Sequence, residues 1–227
     1  MSTKINKVEY NYHHFKPADY DFKNFKGPKA GEKYIDFKAS TLDGKIVSLS
    51  NFMDKPIVLD TGSITCPMYA NTKTPMNTLQ EEYPNVNFLL LYVREAHPGG
   101  KTKETTSIHE KISNAKSTLK LYNEKRMILV DDIKGTAHKM YGTMPNMTYV
   151  IGRDGIVKFR ANWTNIDALK KVLLDINKIE KQDFYEAEKP PLTVAIRTLM
   201  IGGVRALYEF IIGLPQLLRQ HKEIDSK

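Results

Sequence analysis

Pro56-Ile-Val-Leu-Asp-Thr-Gly-Ser-Ile-Thr-Cys-Pro67 is the stretch on which the fold turns. Ile57, Val58 and Leu59 form a short apolar, largely β-branched run, which reads as a strand buried on both faces. Gly62 and Ser63 break the run, and Pro67 suits the first turn of a helix, where its missing N–H loses no hydrogen bond. The spacing therefore predicts a strand over 56–60, a tight loop, and a helix from Pro67 to about Tyr83. Cys66 sits where that helix begins. Free N–H groups and a partial positive charge there favour thiolate over thiol, so Cys66 is a candidate nucleophile.

Outward from this unit, Val86–Val93 (VNFLLLYV) reads as a second buried strand, followed by a Gly-rich loop and a helix over about Ile108–Glu124. A third strand, Met127–Val130, and a short helix, Thr136–Tyr141, lead to Met144-Pro145. Strands Thr148–Ile151 and Ile156–Phe159 are joined by Arg153-Asp154-Gly155, and a helix over Ile166–Ile179 follows. Upstream, Ile35, Phe37 and Ala39 alternate with polar residues, Leu42-Asp43-Gly44-Lys45 supplies a turn, and Ile46–Leu49 alternates again, which reads as a β-hairpin. Parallel strands need crossover helices, so strand–helix–strand–helix–strand followed by hairpin and helix predicts an α/β domain with a mixed sheet in a thioredoxin-like fold. The expected organisation is an N-terminal extension (1–30), the domain (31–180), a charged linker ending in Pro-Pro (181–191), and a C-terminal apolar helix and tail (192–227). The aromatic residues of 1–27 either pack on the domain or stay loose.

The 227 residues carry 34 Lys+Arg against 26 Asp+Glu, a net charge of +8, with 41% hydrophobic residues. That suffices for a proper core, and the positive charge is scattered, so a nucleic-acid partner is not expected. A lone cysteine excludes an internal disulfide, a CxxC redox pair and a cysteine-based zinc site. The N-terminus has no signal-peptide h-region, and no long uncharged apolar run appears, so the expectation is a cytoplasmic protein. The segment 192–220 must bury much of its surface, on the parent domain, on a partner subunit, or at a membrane surface.

A second polar cluster follows the second strand: Tyr92-Val-Arg-Glu95-Ala-His97-Pro. C-terminal ends of adjacent parallel strands form one rim of an α/β sheet, where ligands bind. Cys66, Glu95 and His97 are expected together on that rim, with His97 as proton donor and Glu95 as the group that orients it. Ser63 and Thr65 are placed to donate hydrogen bonds. Pro145 precedes a strand in the position where thioredoxin-like folds commonly hold a cis proline facing the cysteine.

Gly62-Ser-Ile-Thr-Cys66-Pro resembles the active-site stretch of the iodothyronine deiodinases, in which Gly-Ser-x-Thr precedes selenocysteine and proline. Tyr92-Val-Arg-Glu-Ala-His-Pro98 is similar to that family's Tyr-x-x-Glu-Ala-His-Pro segment. The resemblance runs from about Gly31 to Lys178. It implies that Cys66 stands in the selenocysteine position, that Ser63, Thr65 and Tyr92 support the site, and that His109 is a second histidine near the substrate's phenol. It also implies reductive removal of iodide from iodinated phenolic rings, no bound cofactor, an external thiol reductant such as glutathione or thioredoxin, and a homodimer. Two alternatives stay open. One is a one-cysteine peroxiredoxin-like peroxide reductase, with Arg94 or Arg126 beside the thiolate. The other is a non-catalytic thioredoxin-like binding module.

Overall fold

The computed structural model describes residues 10–22 and 24–225. Its centre is a seven-stranded sheet built from β1 (Lys38–Ser40), β2 (Ile46–Ser48), β3 (Ile57–Gly62), β4 (Asn87–Tyr92), β5 (Met127–Val130), β6 (Thr148–Ile151) and β7 (Val157–Ala161), in the order β2-β1-β5-β4-β3-β6-β7. β3, β4 and β5 are parallel neighbours, while β6 pairs antiparallel with β3 and β7 antiparallel with β6. The crossovers are α1 (Pro67–Glu82) and α2 (Ile108–Leu121), and α3 (Thr136–Tyr141) precedes β6. α4 (Ile166–Leu174) follows β7. This is the thioredoxin-like arrangement expected from the order of elements.

The central strands are apolar throughout because both faces are covered. Leu59, Leu89, Leu91 and Ile151 pack with Ala137 and Tyr141 of α3 and with Phe37 and Leu49 of the hairpin segment. Their neighbours Val58, Phe88 and Val150 face the opposite way, onto Met76 and Leu79 of α1 and Leu169 of α4. Alternation along each strand thus feeds two cores.

The C-terminal segment departs from the expected single helix. It forms α5 (Leu192–Gly202) and α6 (Val204–Asp225), broken at Gly203, whose φ of +106° no other residue type adopts cheaply. Both pack on the parent domain, but α6 leaves an outward stripe, Val204, Tyr208, Ile211 and Ile212, exposed. No helix among the described residues is long and apolar enough to cross a membrane.

The segments read as extension and linker are docked. Tyr12, Phe15, Tyr20 and Phe22 are buried against Met144, Met147 and Trp163. Asp183 pairs with Arg160 at 2.5 Å, and Asn162 N donates to Phe184 O at 2.9 Å. The α5–α6 junction meets the loop after β4 backbone to backbone, with Lys101 N donating to Gly202 O at 2.9 Å.

A Cβ at Gly202 would lie 2.4 Å from His97 O, whereas one at Gly100 would meet nothing within 4 Å. Gly202→Ala should therefore cost about 1–3 kcal/mol by overpacking. Thermal melts should place it lower than wild type by ~2–4 °C per kcal/mol, with Gly100→Ala nearly unchanged.

Candidate active site

β3 and β4 pair in parallel through Gly62↔Tyr92, so the chain leaves both strands at the same edge. The loop 63–66 then lies against the loop 93–97. Ala96 N donates to Ser63 Oγ (3.1 Å) and His97 N to Thr65 Oγ1 (3.2 Å). The loop before β6 closes the third side, because Met147 N donates to Thr61 Oγ1 at 2.7 Å. Pro145 lies buried in that loop. The described residues contain no cis peptide, so the expected cis bond at Pro145 is corrected to trans. Hydrogen bonds through Asn146 and Met147 tie this loop to β3 without one.

Glu95 is the hub of the polar side chains. It accepts from Tyr92 OH (2.5 Å), Thr65 Oγ1 (2.7 Å) and Asn114 Nδ2 of α2 (3.2 Å). Tyr92 OH in turn accepts from Ile64 N at 3.2 Å. A carboxyl, a phenol and a hydroxyl thus form one chain that ends at the residue before Cys66. Burial raises the Glu95 pKa, and its three side-chain donors oppose that rise. Such a carboxyl can keep a proton nearer neutral pH than an exposed one, which suits a proton store. Asn114 has no motif around it and lies on the crossover helix, so nothing in the sequence marks it.

Cys66 is the N-cap of α1 and is 1% exposed. Burial pushes its thiol up to about 12, while the N–H groups of Met68 and Tyr69 pull the other way. The charged groups acting on it are Asp60 and Glu95, and both raise it further. Neither candidate arginine serves the sulfur. Arg126 is sealed between Asp60 (2.9 Å) and Glu124 (2.8 Å), and Arg94 lies over the rings of Tyr10, Tyr12 and Tyr20.

His97 is brought to the rim, but its ring does not join the Glu95 chain. It packs against Phe15 (centroids 4.2 Å) and Phe210 (5.4 Å), and its Nδ1 has no hydrogen-bond partner. Burial lowers its pKa to about 3, so in this closed arrangement it is neutral and a poor acid. That corrects the expected pairing of His97 with Glu95: the ring packs on Phe15 and Phe210, while the carboxylate is taken by Thr65, Tyr92 and Asn114. His109 stands exposed on the first turn of α2, along a groove with Leu42, Ile46 and Ile133, and not among the residues around Cys66. Arg160 is committed to Asp183 and to Gly27 O (2.8 Å).

At pH 8, iodoacetamide should alkylate Cys66 in the folded chain at least about a hundredfold more slowly than in the urea-unfolded chain, because the thiolate fraction falls tenfold for each unit of pKa. His97 gives a second test. The unfolded chain takes up a proton at His97 near pH 6.5 and the folded chain only near 3, so stability is lost as pH falls through that window. Denaturant titrations between pH 6 and 4 should show a slope shallower by up to about 1.4 kcal/mol per pH unit in His97→Gln than in wild type.

Mouse type II iodothyronine deiodinase is 36% identical over 74 residues, 31% of this chain and 27% of that protein. The bovine type II enzyme is 39% identical over 61 residues, 26% of this chain and 23% of that protein. The matched stretch thus spans about a quarter of the length of these curated relatives. Among solved structures, a thiol:disulfide interchange protein DsbE of Chlorobium tepidum superposes with a TM-score of 0.53 at 19% identity, covering 65% of this chain and 97% of that one. The peroxidoxin BcpB of Mycobacterium tuberculosis superposes with a TM-score of 0.50 at 16% identity, covering 66% and 97%. Both likenesses support the thioredoxin-like fold. The iodothyronine deiodinase profile matches residues 15–164, from inside the N-terminal aromatic segment through both polar loops to the end of the sheet. A match over that span, well over half of the chain, shows that the chain belongs to the iodothyronine deiodinase family.

Proposed function

We propose that this protein is a thiol-dependent oxidoreductase that removes iodide reductively from iodinated phenolic rings, with Cys66 as the nucleophile. The observation that carries the reading is the Tyr92–Glu95–Thr65 chain ending beside a cysteine at a helix N-terminus. A nucleophile with a neighbouring proton store is what the chemistry requires.

The Cys66 thiolate attacks iodine in the ring. The C–I bond breaks, its electron pair stays on the ring carbon, and that carbon takes a proton, while an S–I bond forms. Glu95, with Tyr92 and Thr65, supplies that proton and takes it back from solvent. A first external thiolate then attacks the sulfur of the sulfenyl iodide, releasing iodide and leaving a mixed disulfide. A second thiol releases Cys66 and departs as the external disulfide. The ring is reduced by two electrons and two external thiols are oxidised, which suits a chain with one cysteine. Glutathione or a thioredoxin could supply these thiols.

The commitment of Arg126 to Asp60 and Glu124, and of Arg94 to the rings of Tyr10, Tyr12 and Tyr20, disfavours peroxide reduction. Iodide release from diiodotyrosine and thyroxine, measured with excess dithiol, should occur in wild type and vanish in Cys66→Ser. Glu95→Gln should lower kcat by about 10²–10⁴-fold, the usual range for a positioned acid or base. Peroxide consumption through Cys66 without iodide release would replace this reading with the peroxide reductase. Silence in both assays would leave a binding module.

A further inference from the structure

The aromatic segment 12–22, packed on the loop beside Cys66, fills a space whose walls it does not satisfy. Arg94 Nε, His97 Nδ1 and Trp163 Nε1 are buried without hydrogen-bond partners. Their side chains are 6%, 7% and 5% exposed. All three line the same aromatic segment. The Arg94 guanidinium lies 4.7 Å from the Tyr12 ring and 5.3 Å from that of Tyr20. His97 packs on Phe15 at 4.2 Å, and Trp163 on Phe22 at 5.7 Å. Buried polar atoms are nearly always paired, so three orphans around one volume need an explanation, and a missing ligand is one.

The occupant of that volume is itself phenolic. Tyr12 OH contacts Tyr20 OH and donates to Ala96 O at 2.8 Å; Ala96 N donates to Ser63 Oγ, three residues before Cys66. Met68, in the first turn of α1, packs against the same cluster. Two phenols therefore lie over the rim on which the nucleophile stands.

α6 supplies the fastening at residues 13–15, beside a surface pair of His13 with Glu104 (2.7 Å) and the bond from Asn162 Nδ2 to Phe22 O (3.4 Å). Glu209 of α6 accepts from Phe15 N (3.0 Å) and pairs with His14 (2.5 Å), and Arg205 Nη2 donates to His13 O (3.0 Å). His14 and Arg205 reach the solvent. Apart from one 3-10 turn at Pro17–Asp19, the described part of the segment has no regular structure. It can peel away without dismantling a helix or a strand.

We propose that the space filled by residues 12–22 is the binding site for the substrate's phenolic ring, that the tyrosine-bearing segment occupies it as an internal stand-in, and that an iodinated phenol binds by displacing the segment. Arg94 then faces the phenolate oxygen, and Trp163 Nε1 and His97 Nδ1 gain partners on the ligand. This rests on the assignment of phenolic dehalogenation to Cys66 and names the surface that receives the ring.

Trp163 is the only tryptophan in the chain. Its fluorescence, quenched by iodine, reports binding without turnover. Full-length protein without reductant would be titrated with 3,5-diiodophenol, with chymotrypsin cleavage after Phe15 followed in parallel. Saturable quenching is expected, with faster cleavage after Phe15 when the phenol is present. Loosening the latch with Glu209→Gln plus Arg205→Gln should tighten binding about tenfold by raising the fraction of open protein. Arg94→Gln should weaken binding in both backgrounds. Equal affinity in wild type and latch variant, together with Phe15 cleavage that the phenol does not accelerate, would overturn the inference even if iodide release is observed. Displacement of the segment by the phenol without iodide release would keep the site and overturn only the dehalogenation assigned to Cys66.

Discussion

The parallel pairing of β3 with β4 is the constraint on which the site depends. Gly62 faces Tyr92 in the ladder, and Val93 N donates to Gly62 O at 3.0 Å, so the two loops leave the sheet side by side. A Cβ at Gly62 would lie 2.6 Å from the Tyr69 ring. Glycine there lets α1 return close to the strand it has just left, which brings its first turn, and Cys66 with it, onto the rim. A slip of one residue between β3 and β4 would turn every side chain of one strand to the opposite face and separate Thr65 from Glu95.

Cys66 is held between two opposed influences. The helix N-terminus offers N–H groups that favour thiolate, and burial under aromatic rings favours thiol by more. The first belongs to the fold. The second comes from the cluster that encloses the sulfur, in which Tyr69, Tyr92, Ala96, Ala115 and Tyr122 pack with Val194 and Ile201 of α5. A thiol stored in this way is protected from adventitious alkylation and oxidation, both of which follow thiolate character and exposure.

The fold was legible because its signals are local. Apolar runs at 57–59 and 86–93, turn residues at 42–45 and 153–155, and a proline just inside a helix each carry their own physics. The Cys66–Thr65–Glu95–Tyr92 cluster was legible for the same reason: the residues fall in two short motifs, and parallel pairing brings consecutive strand ends together. What escaped depends on contacts across the chain. Asn114 reaches Glu95 from a helix surface, and Tyr12 reaches Ala96 from 84 positions away. Such contacts leave no periodicity. The continuous apolar pattern of 192–220 hid the break because Gly202-Gly203 fits a helical pattern until its close approach to the His97 loop is seen. His109 was assigned by resemblance, and its place on the exposed side of α2 follows from a helix phase that the motif does not fix.

The placement of positive charge separates the two chemistries open to a lone cysteine in this fold. In peroxide reduction, negative charge stays on sulfur and the departing oxygen directly in front of it, so a cation must sit at the sulfur. In reductive dehalogenation, charge passes into the aromatic ring, and a cation belongs at the ring's far, oxygen-bearing end. Here Arg126 is neutralised between Asp60 and Glu124, with all three side chains buried. Arg94 keeps its charge among phenol rings, with its backbone-facing Nη1 on Tyr10 O and its Nε unpaired. Preorganised charge acts where charge develops. Carboxyls near the sulfur and a guanidinium near the rings fit the proposed dehalogenation better than peroxide reduction, in which charge stays at the sulfur.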